Sequence, residues 1–283
     1  MVWGEDRFMN FAIFIISHER ADRVETYNTL KRGGYTGQIF VVIDNKDSML
    51  RKYLARFGDD VLVFDKEVYA ERTDTLETAK LKASAVYARN AVEDFAQMFE
   101  LDAFGVFDDD ITGLRYRWEE DNKYKSLKVN GGLDDVVSYY CDYLVQHDIA
   151  TMSFENCMFY LGGVTNDKVS NERWTYQIHF RNIKFPVDWI SIINEDIITE
   201  ITTAVKGYIW WSLPHIVYEA VDMNDLSGGV KNLYDNLNKF YRAFLGVISN
   251  PSSCKVGYSH GKIRILQNKS ASYPMIVSGE YKK

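Results

Sequence analysis

The first half of the sequence alternates short, continuous apolar runs with segments in which apolar residues recur at helical spacing. The runs are Phe11–Ile16, Gln38–Ile43, Val61–Phe64 and Ala103–Phe107. A run that is apolar at every position is typical of a strand buried on both faces. Because parallel strands must be joined by crossover connections, strands that alternate with helices predict an α/β fold with a mainly parallel sheet.

The segments between and after these runs complete the prediction. Helices are expected over residues 21–31, 49–57, 75–100, 134–147, 196–206 and 231–247. Residues 176–183 alternate apolar and polar side chains, which predicts a further strand. Residues 118–132 are polar and charged and predict an exposed loop, and residues 249–283 predict short irregular structure.

Composition excludes several classes of protein. With 46% hydrophobic and 26% charged residues, the chain is neither disordered nor a coiled coil. No apolar run approaches the ~20 residues of a membrane-spanning helix, so we expect no membrane partner. The three cysteines are too scattered for a disulfide framework or a zinc site, and we expect a reduced, cytoplasmic protein.

The charge is unevenly distributed along the chain. The formal net charge is −7, which by itself argues against a polyanionic partner. From Ile201 to Lys283, however, ten Lys/Arg and five Asp/Glu give +5, and the first 200 residues carry −12. An acidic body with a basic C-terminal part therefore keeps a nucleic-acid partner open.

Three consecutive carboxylates, Asp108, Asp109 and Asp110, follow the fourth apolar run. In open parallel sheets, ligands bind beyond the carboxyl ends of the strands. Adjacent carboxylates repel one another unless a cation lies between them, and Mg²⁺ or Mn²⁺ prefers oxygen ligands and phosphate. The triplet therefore indicates a metal–diphosphate site, and the alternative is a solvated acidic turn.

Two further motifs are ambiguous when each is taken alone. Arg89 and Asn90 lie within the predicted helix 75–100, where Arg89 could bind phosphate or could pair with Glu93 or Asp94 at the surface. Glu195 and Asp196 open a predicted helix. Either the helix dipole favours carboxylates at that position, or one of the two is a general base.

Together these motifs, in this order, resemble the GT-A fold of nucleotide-sugar glycosyltransferases, from about residue 12 to residue 206. The chain is most similar to the TET-associated glycosyltransferases of bacteriophages, which add sugars to hydroxymethylated DNA bases. That narrower resemblance includes the segments 16–22, 106–111 and 223–230. It implies a catalytic core over residues 1–206 and an acceptor-side extension over residues 207–283, packed on the same domain.

The resemblance also implies roles for single residues. Donor-binding residues would be Ser17, Arg20, Asp44, Arg89, Asn90, Asp108 and Asp109. Ligands of Mn²⁺ or Mg²⁺ would be Asp108, Asp110 and His260. Asp196, or else Glu195, would deprotonate the acceptor hydroxyl in an inverting transfer from a UDP-sugar. One departure is His18-Glu19, where the family often has smaller or aromatic residues, and this leaves the nucleotide contacts of that loop open.

Basic residues close to aromatic ones suggest where an acceptor would bind. The basic residues are Arg115, Arg117, Lys255, Lys262 and Arg264, and the aromatic residue is Trp118. Such residues suit phosphate contact and base stacking, which favours DNA as the acceptor, and the resemblance implies 5-hydroxymethylcytosine as the modified base. Three alternatives stay open: a solvated charged face, a GT-A enzyme with a polysaccharide or glycoprotein acceptor, and a catalytically silent DNA-binding module.

Overall fold

A computed structural model describes residues 9–76, 85–121, 123–157, 174–221, 239–259 and 261–268. Its strands are β1 (Phe11–Ile16), β2 (Gln38–Asp44), β3 (Val61–Phe64), β4 (Ala103–Asp108), β5 (Ile111–Glu120), β6 (Lys123–Lys128), β7 (Thr151–Asn156), β8 (Ile178–Asn182), β9 (Trp210–Ala220), β10 (Cys254–Ser259) and β11 (Lys262–Gln267). Its α-helices are α1 (Glu25–Arg32), α2 (Leu50–Phe57), α3 (Lys66–Arg72), α4 (Ala85–Met98), α5 (Leu133–Gln146), α6 (Glu195–Ala204) and α7 (Lys239–Ser249).

Within the described residues, nine strands form one sheet in the order β3-β2-β1-β4-β8-β7-β9-β5-β6. The strands β3, β2, β1 and β4 are parallel neighbours, which confirms the predicted alternation of strands and crossover helices. Beyond β4 the sheet is mixed, since β8 runs antiparallel to both of its neighbours and β9 runs parallel to β7. The carboxyl ends of β1, β2 and β4 meet at one edge.

The core lies on both faces of this sheet, as the fully apolar runs predict. Along β1, Ile13 and Ile15 pack in a cluster with side chains of α1, α2 and α5. Phe14 packs on the opposite face with side chains of α4. Since every residue of β1 from Ala12 to Ile16 is buried, neither face can tolerate a polar side chain there.

Four segments differ from the prediction, and one of them is α3, over which no helix is expected. The expected loop at 118–132 contains the end of β5 and all of β6, which form an antiparallel hairpin at the sheet edge. Charged side chains are typical of an exposed edge strand, so polarity alone did not identify a loop. The expected irregular structure after residue 249 contains the hairpin β10–β11. Strand β9, which had no strand prediction, lies inside the main sheet just after the expected boundary at residue 206.

Helix α7 and the β10–β11 hairpin form a layer beside α6. Ile265 of β11 lies against Gly246 of α7, and Asn194 Nδ2 donates a hydrogen bond to the Arg242 carbonyl at 3.4 Å. This contact brings α7 next to the residue that precedes α6. All three cysteines are free thiols. No helix within the described ranges has both the length and the apolar character needed to span a bilayer.

Candidate active site

The Asp triplet splits between two sides of the turn after β4. Asp109 points toward the loop after β1, where its Oδ1 accepts from Arg20 Nη1 at 2.8 Å and its Oδ2 from Ser17 Oγ at 2.5 Å. Ser17 Oγ also lies 2.7 Å from the Tyr53 hydroxyl, which accepts from the Arg20 backbone N–H. Asp109 is buried, so its role here is to tie the β4 turn to the β1 loop.

Asp108 and Asp110 have different neighbours. Asp108 Oδ1 accepts from Arg89 Nη2 at 2.9 Å, and Asp110 Oδ1 accepts from Gln177 Nε2 at 2.8 Å. The Gln177 carbonyl also accepts from the Asp108 N–H at 2.9 Å, which fixes the end of β4. The Asp108 side chain is 28% exposed and therefore open to a ligand, whereas Asp109 and Asp110 are both buried.

Helix α1 stabilises the backbone of the Asp turn through hydrogen bonds from two threonine side chains. Thr26 Oγ1 donates to the Asp108 carbonyl at 2.5 Å and accepts from the Ile111 N–H at 2.9 Å. One helical turn later, Thr29 Oγ1 donates to the Ile111 carbonyl at 2.8 Å. Both threonines are buried, and together they satisfy turn groups that would otherwise lie buried without partners.

Arg89 lies at the centre of the site. Its Nε donates to Glu195 Oε1 at 3.2 Å and its Nη1 to His179 Nδ1 at 3.1 Å, in addition to the bond with Asp108. Its guanidinium carbon lies 5.0 Å from the centre of the Trp189 ring. The predicted surface alternative for Arg89 is therefore wrong, because the arginine is buried and its acidic partners come from β4 and α6.

Glu195 and Asp196 form the first turn of α6. The preceding Asn194 has a left-handed backbone, with φ of 53°. Glu195 is committed to Arg89, whereas Asp196 Oδ1 accepts from the Ile197 N–H at 2.7 Å. Asp108, Asp110, Glu195 and Asp196 are called the β4 cluster below, with Arg89 as the cation that pairs within it.

The β4 cluster holds more negative charge than its cations offset. Burial, with the nearby charge of Glu195, raises the pKa of Asp108 to about 6 even though Arg89 opposes the shift. Burial and the charges of Asp108 and Asp109 raise the pKa of Asp110 to about 8. Burial and the charge of Glu195 raise the pKa of Asp196 to about 8. A cation at this position would be stabilised.

A second cluster lies at the ends of β1 and β2. His18 Nδ1 is 3.1 Å from Asp44 Oδ2 and 3.3 Å from Asp47 Oδ2, and Lys66 Nζ is 3.3 Å from Asp44 Oδ2. These four residues are called the β2 cluster. The ligand atoms of His18 and the two aspartates lie within 4.8 Å of one another, so this group could hold a metal ion.

The charges of the β2 cluster are balanced from within. Hydrogen bonds with Asp44 and Asp47 raise the pKa of His18 to about 9, so the imidazole is protonated at neutral pH. Although burial opposes it, the bond from His18 holds the pKa of each aspartate below its usual value, and Lys66 helps at Asp44. Because a protonated imidazole cannot bind a metal, a metal would have to displace a proton and compete with Lys66.

The side-chain amide of Asn90 forms hydrogen bonds within the protein. Its Nδ2 donates to Thr73 Oγ1 at 3.0 Å and to the Trp189 carbonyl at 2.9 Å, and its Oδ1 accepts from the Trp189 N–H at 2.8 Å. The amide therefore holds the segment that carries Trp189 against α4. Its predicted role toward a nucleotide stays a prediction.

The predicted acceptor-side residues fall in two places. Arg115 of β5 bonds Ser126 Oγ at 2.7 Å and lies 3.8 Å from Glu219, while Arg117 Nη2 donates to the Cys157 carbonyl at 3.3 Å. Trp118 is partly exposed on the same strand. The other three lie on the β10–β11 hairpin, and His260 and segment 223–230 are outside the described residues.

The hairpin gathers its basic residues on one face. The register pairs Gly257 with Arg264 and Lys255 with Leu266, and side chains alternate between faces along each strand. Lys255, Lys262 and Arg264 thus share the exposed outer face, opposite the face that packs on α7 through Ile265. This outer face is called the basic hairpin face below.

Several residues of the site were not predicted from the sequence. They are Thr26, Thr29, Asp47, Tyr53, Lys66, Gln177 and His179. Most are single residues in ordinary secondary structure, and their roles depend on contacts across more than 60 positions. Asp47 and Lys66 carried a signal, because they follow the second and third predicted strands at the same sheet edge.

The chain belongs to the family described as TET-Associated Glycosyltransferase, whose match covers residues 11–229. This confirms the resemblance that the motifs predict, and with it the α/β fold of the GT-A class and glycosyltransferase activity. The match includes the β1 loop, both clusters and β9. It ends before α7 and the β10–β11 hairpin.

Solved structures of similar fold include two other glycosyl-transferring enzymes. Glucosyl-3-phosphoglycerate synthase from Mycobacterium tuberculosis, in complex with Mg²⁺ and uridine diphosphate, is 9% identical, with 92% of this chain and 87% of that chain covered and a TM-score of 0.47. Mannosyltransferase PcManGT from Pyrobaculum calidifontis, in complex with GDP-Man and Mn²⁺, is 13% identical, with coverages of 77% and 58% and a TM-score of 0.46. No curated protein matches the chain.

Proposed function

We propose that this glycosyltransferase moves a sugar from a UDP-sugar to the hydroxyl of 5-hydroxymethylcytosine, or a related modified base, in phage DNA, with Mn²⁺ or Mg²⁺ as cofactor. The observation that carries the donor side is the under-neutralised β4 cluster at the carboxyl end of the parallel strands. The family description supports the acceptor, since it associates these glycosyltransferases with TET enzymes.

The donor set of the β4 cluster fits a divalent cation. Asp108 and Asp110 offer carboxylate oxygens, which Mg²⁺ and Mn²⁺ prefer, and burial with the charges of neighbouring carboxylates raises the pKa of each. When bound, the metal would neutralise the diphosphate leaving group as a Lewis acid. His260 is the proposed third ligand from the protein.

The β1 loop and the β2 cluster suit the nucleotide. Arg20 keeps donor capacity, because its Nε is buried without a hydrogen-bond partner among the described residues. Ser17 and Asp109 orient this arginine beside the Asp turn. Asp44, ionised beside Lys66, is the proposed acceptor for hydrogen bonds from the uridine part of the donor.

Asp196 is the proposed general base. Glu195 is already paired with Arg89, while Asp196 is partly exposed and has a pKa of about 8, near the range in which a base is most effective. In the transfer, the acceptor O–H proton passes to Asp196 and the acceptor oxygen forms a bond to the anomeric carbon. The bond from that carbon to the diphosphate oxygen breaks, and UDP leaves with the electron pair on the face opposite to attack, which inverts the configuration.

The basic hairpin face supports a polyanionic acceptor. Between Asp235 and Glu280 the sequence has six Lys/Arg residues and no Asp or Glu. On β5, by contrast, Arg115 lies near Glu219. The hairpin rests on α7, which lies beside the start of α6, so phosphates bound there would lie on the acceptor side. Arg115, Arg117 and Trp118 are proposed as secondary contacts.

The test is incubation of the protein with 5-hydroxymethylcytosine DNA, Mn²⁺ and a panel of UDP-sugars, followed by mass spectrometry of the digested nucleosides. We expect a glycosylated nucleoside from one sugar, and none with unmodified DNA. UDP-sugar hydrolysis without a glycosylated nucleoside would keep the donor proposal and reject the acceptor, as for a polysaccharide or glycoprotein acceptor. DNA binding without UDP binding, unchanged by Asp110→Ala, would indicate a silent DNA-binding module.

The acceptor surface has a matched test. The triple variant Lys255→Gln, Lys262→Gln and Arg264→Gln should lower the slope of log K against log salt for DNA by about one per lost phosphate contact. The control triple is Lys52→Gln, Arg72→Gln and Lys184→Gln, which removes the same kinds of charge from exposed ion pairs elsewhere. Equal slopes for both triples would reject the basic hairpin face as the docking surface.

A further inference from the structure

We infer that Arg89 is a positioning residue, which holds Asp108 and Glu195 in one buried network and makes no contact with the nucleotide. This inference rests on the proposed function, because it concerns the donor and acceptor carboxylates of that site. It also reverses the role that the family resemblance implies for Arg89.

The hydrogen-bonding capacity of Arg89 is largely used inside the protein. A guanidinium has five N–H donors on three nitrogens, and each nitrogen of Arg89 already donates to a protein atom. Trp189 lies against the guanidinium face at 5.0 Å, and the side chain is only 2% exposed. Neither an edge nor a face of the group is thus presented to a ligand of nucleotide size.

His179 makes the arrangement specific for arginine. Burial and the charge of Arg89 hold the pKa of His179 well below its usual value, so the imidazole is neutral. Because arginine can only donate, His179 Nδ1 must be the acceptor, and the ring proton is on Nε2. A lysine could keep the charge but could not reach three partners in one plane.

The network connects the two halves of the site. Asp108 ends β4 on the donor side, and Glu195 begins α6 on the acceptor side beside Asp196. The rigid fork of Arg89 fixes the separation of these two carboxylates, so a shift of either would be transmitted to the other. Arg20 is less enclosed than Arg89. Its side chain is 12% exposed, and its Nε has no hydrogen-bond partner among the described residues.

The experiment compares Arg89→Lys with Arg181→Lys. Arg181 is a matched control, because this arginine of β8 is also fully buried and has its own buried partner, Glu93 of α4, at 3.0 Å. For each protein we would measure UDP affinity by calorimetry with and without Mn²⁺, the thermal shift induced by Mn²⁺ alone, and kcat per folded molecule. Because kcat is expressed per folded molecule, a variant that merely yields less folded protein does not appear less active.

For Arg89→Lys we expect metal-free UDP affinity within about threefold of wild type, a smaller Mn²⁺-induced thermal shift, and a fall in kcat of about 100-fold, as expected from misplacement by about 1 Å. Arg181→Lys should lose stability and keep its kcat per folded molecule. Should Arg89→Lys fail to fold, Arg89→Met combined with Glu195→Gln removes the unpaired buried charge and should restore folding but not kcat.

Two results would overturn the inference while the proposed function stands. A tenfold or greater loss of metal-free UDP affinity in Arg89→Lys would make Arg89 a nucleotide contact. If Arg89→Lys had the same kcat per folded molecule as Arg181→Lys, the role of Arg89 would be purely structural. If the wild-type protein binds no UDP with Mn²⁺, the proposed function fails and the inference fails with it.

Discussion

The β2 and β4 clusters both contain carboxylates at the carboxyl ends of parallel strands, on either side of β1, but their electrostatics are opposite. In the β2 cluster, His18 and Lys66 offset Asp44 and Asp47, and the pKa of both aspartates falls. In the β4 cluster, Arg89 pairs with Asp108 and Glu195, and burial together with neighbouring carboxylates raises the pKa of Asp108, Asp110 and Asp196. The β2 cluster is thus balanced by its own cations, whereas the β4 cluster is not, which favours a divalent cation there.

The largest expected effect comes from removing one carboxylate of the β4 cluster. Asp110→Asn should abolish Mn²⁺-dependent UDP binding and lower kcat by about 10³-fold, because the charge of the leaving diphosphate is no longer offset. Calorimetry with and without Mn²⁺ measures the binding. Asp47→Asn, the counterpart in the β2 cluster, should keep Mn²⁺-dependent UDP binding. If Asp47→Asn abolished this binding and Asp110→Asn kept it, the metal would be assigned to the β2 cluster.

The next effect separates the two adjacent acids of α6. Asp196→Asn should lower kcat by about 10²-fold and leave UDP affinity unchanged, because a general base acts only on the acceptor proton. Steady-state kinetics at saturating UDP-sugar gives kcat. Glu195→Gln should lower kcat less, since Glu195 pairs with Arg89. A larger fall in kcat for Glu195→Gln than for Asp196→Asn would make Glu195 the general base instead.

The pH dependence of stability should differ between the clusters. Asp110 has a folded pKa of about 8, above its ordinary 3.8, so its contribution favours folding at low pH and is lost as pH rises toward 8. His18 has a folded pKa of about 9, so its contribution is complete below 6.5 and is lost as pH rises through 9. Each contributes a slope of at most about 1.4 kcal/mol per pH unit.

Urea denaturation of metal-free protein from pH 4 to pH 10 would test this difference. Asp110→Asn should flatten the curve mainly below pH 8, and His18→Gln should flatten it mainly above pH 6.5. Stabilisation by Mn²⁺ should grow as pH rises, because protons and the metal compete for the β4 cluster. A Mn²⁺ effect that His18→Gln removes and Asp110→Asn leaves intact would contradict the comparison.

The smallest effect concerns the turn that carries the β4 cluster. Thr26→Val keeps the side-chain shape and removes two hydrogen bonds to the Asp turn, so we expect a loss of about 1–3 kcal/mol in the free energy of unfolding. Thr202→Val is the control, because that hydroxyl bonds only carbonyls of its own helix and should change stability by less than about 0.5 kcal/mol. Urea denaturation measures both, and equal losses would show that Thr26 does not secure the turn.

Local patterns succeeded where one segment carries the whole signal. The run Phe11–Ile16 matches β1 in both bounds, because a strand buried on both faces must be apolar throughout. The run Val61–Phe64 also matches β3 in both bounds, although Val63 is exposed at this edge of the sheet. The hairpin of β5 and β6 was missed because its exposed, charged residues look like a loop until β9 pairs beside them. The position of β9 in the sheet follows from pairing with β7, which no local pattern encodes.

The sequence by itself determined the parallel half of the sheet, the edge at which a ligand is expected and the acidic residues at that edge. Apolar periodicity and the polar residues after each strand are local properties, so they can be read along the chain. Only the tertiary structure decided which carboxylates receive cations. Asp44 meets Lys66 and Asp109 meets Arg20, whereas Asp108 must share Arg89 with Glu195, and ion pairing depends on distances between residues far apart in the chain.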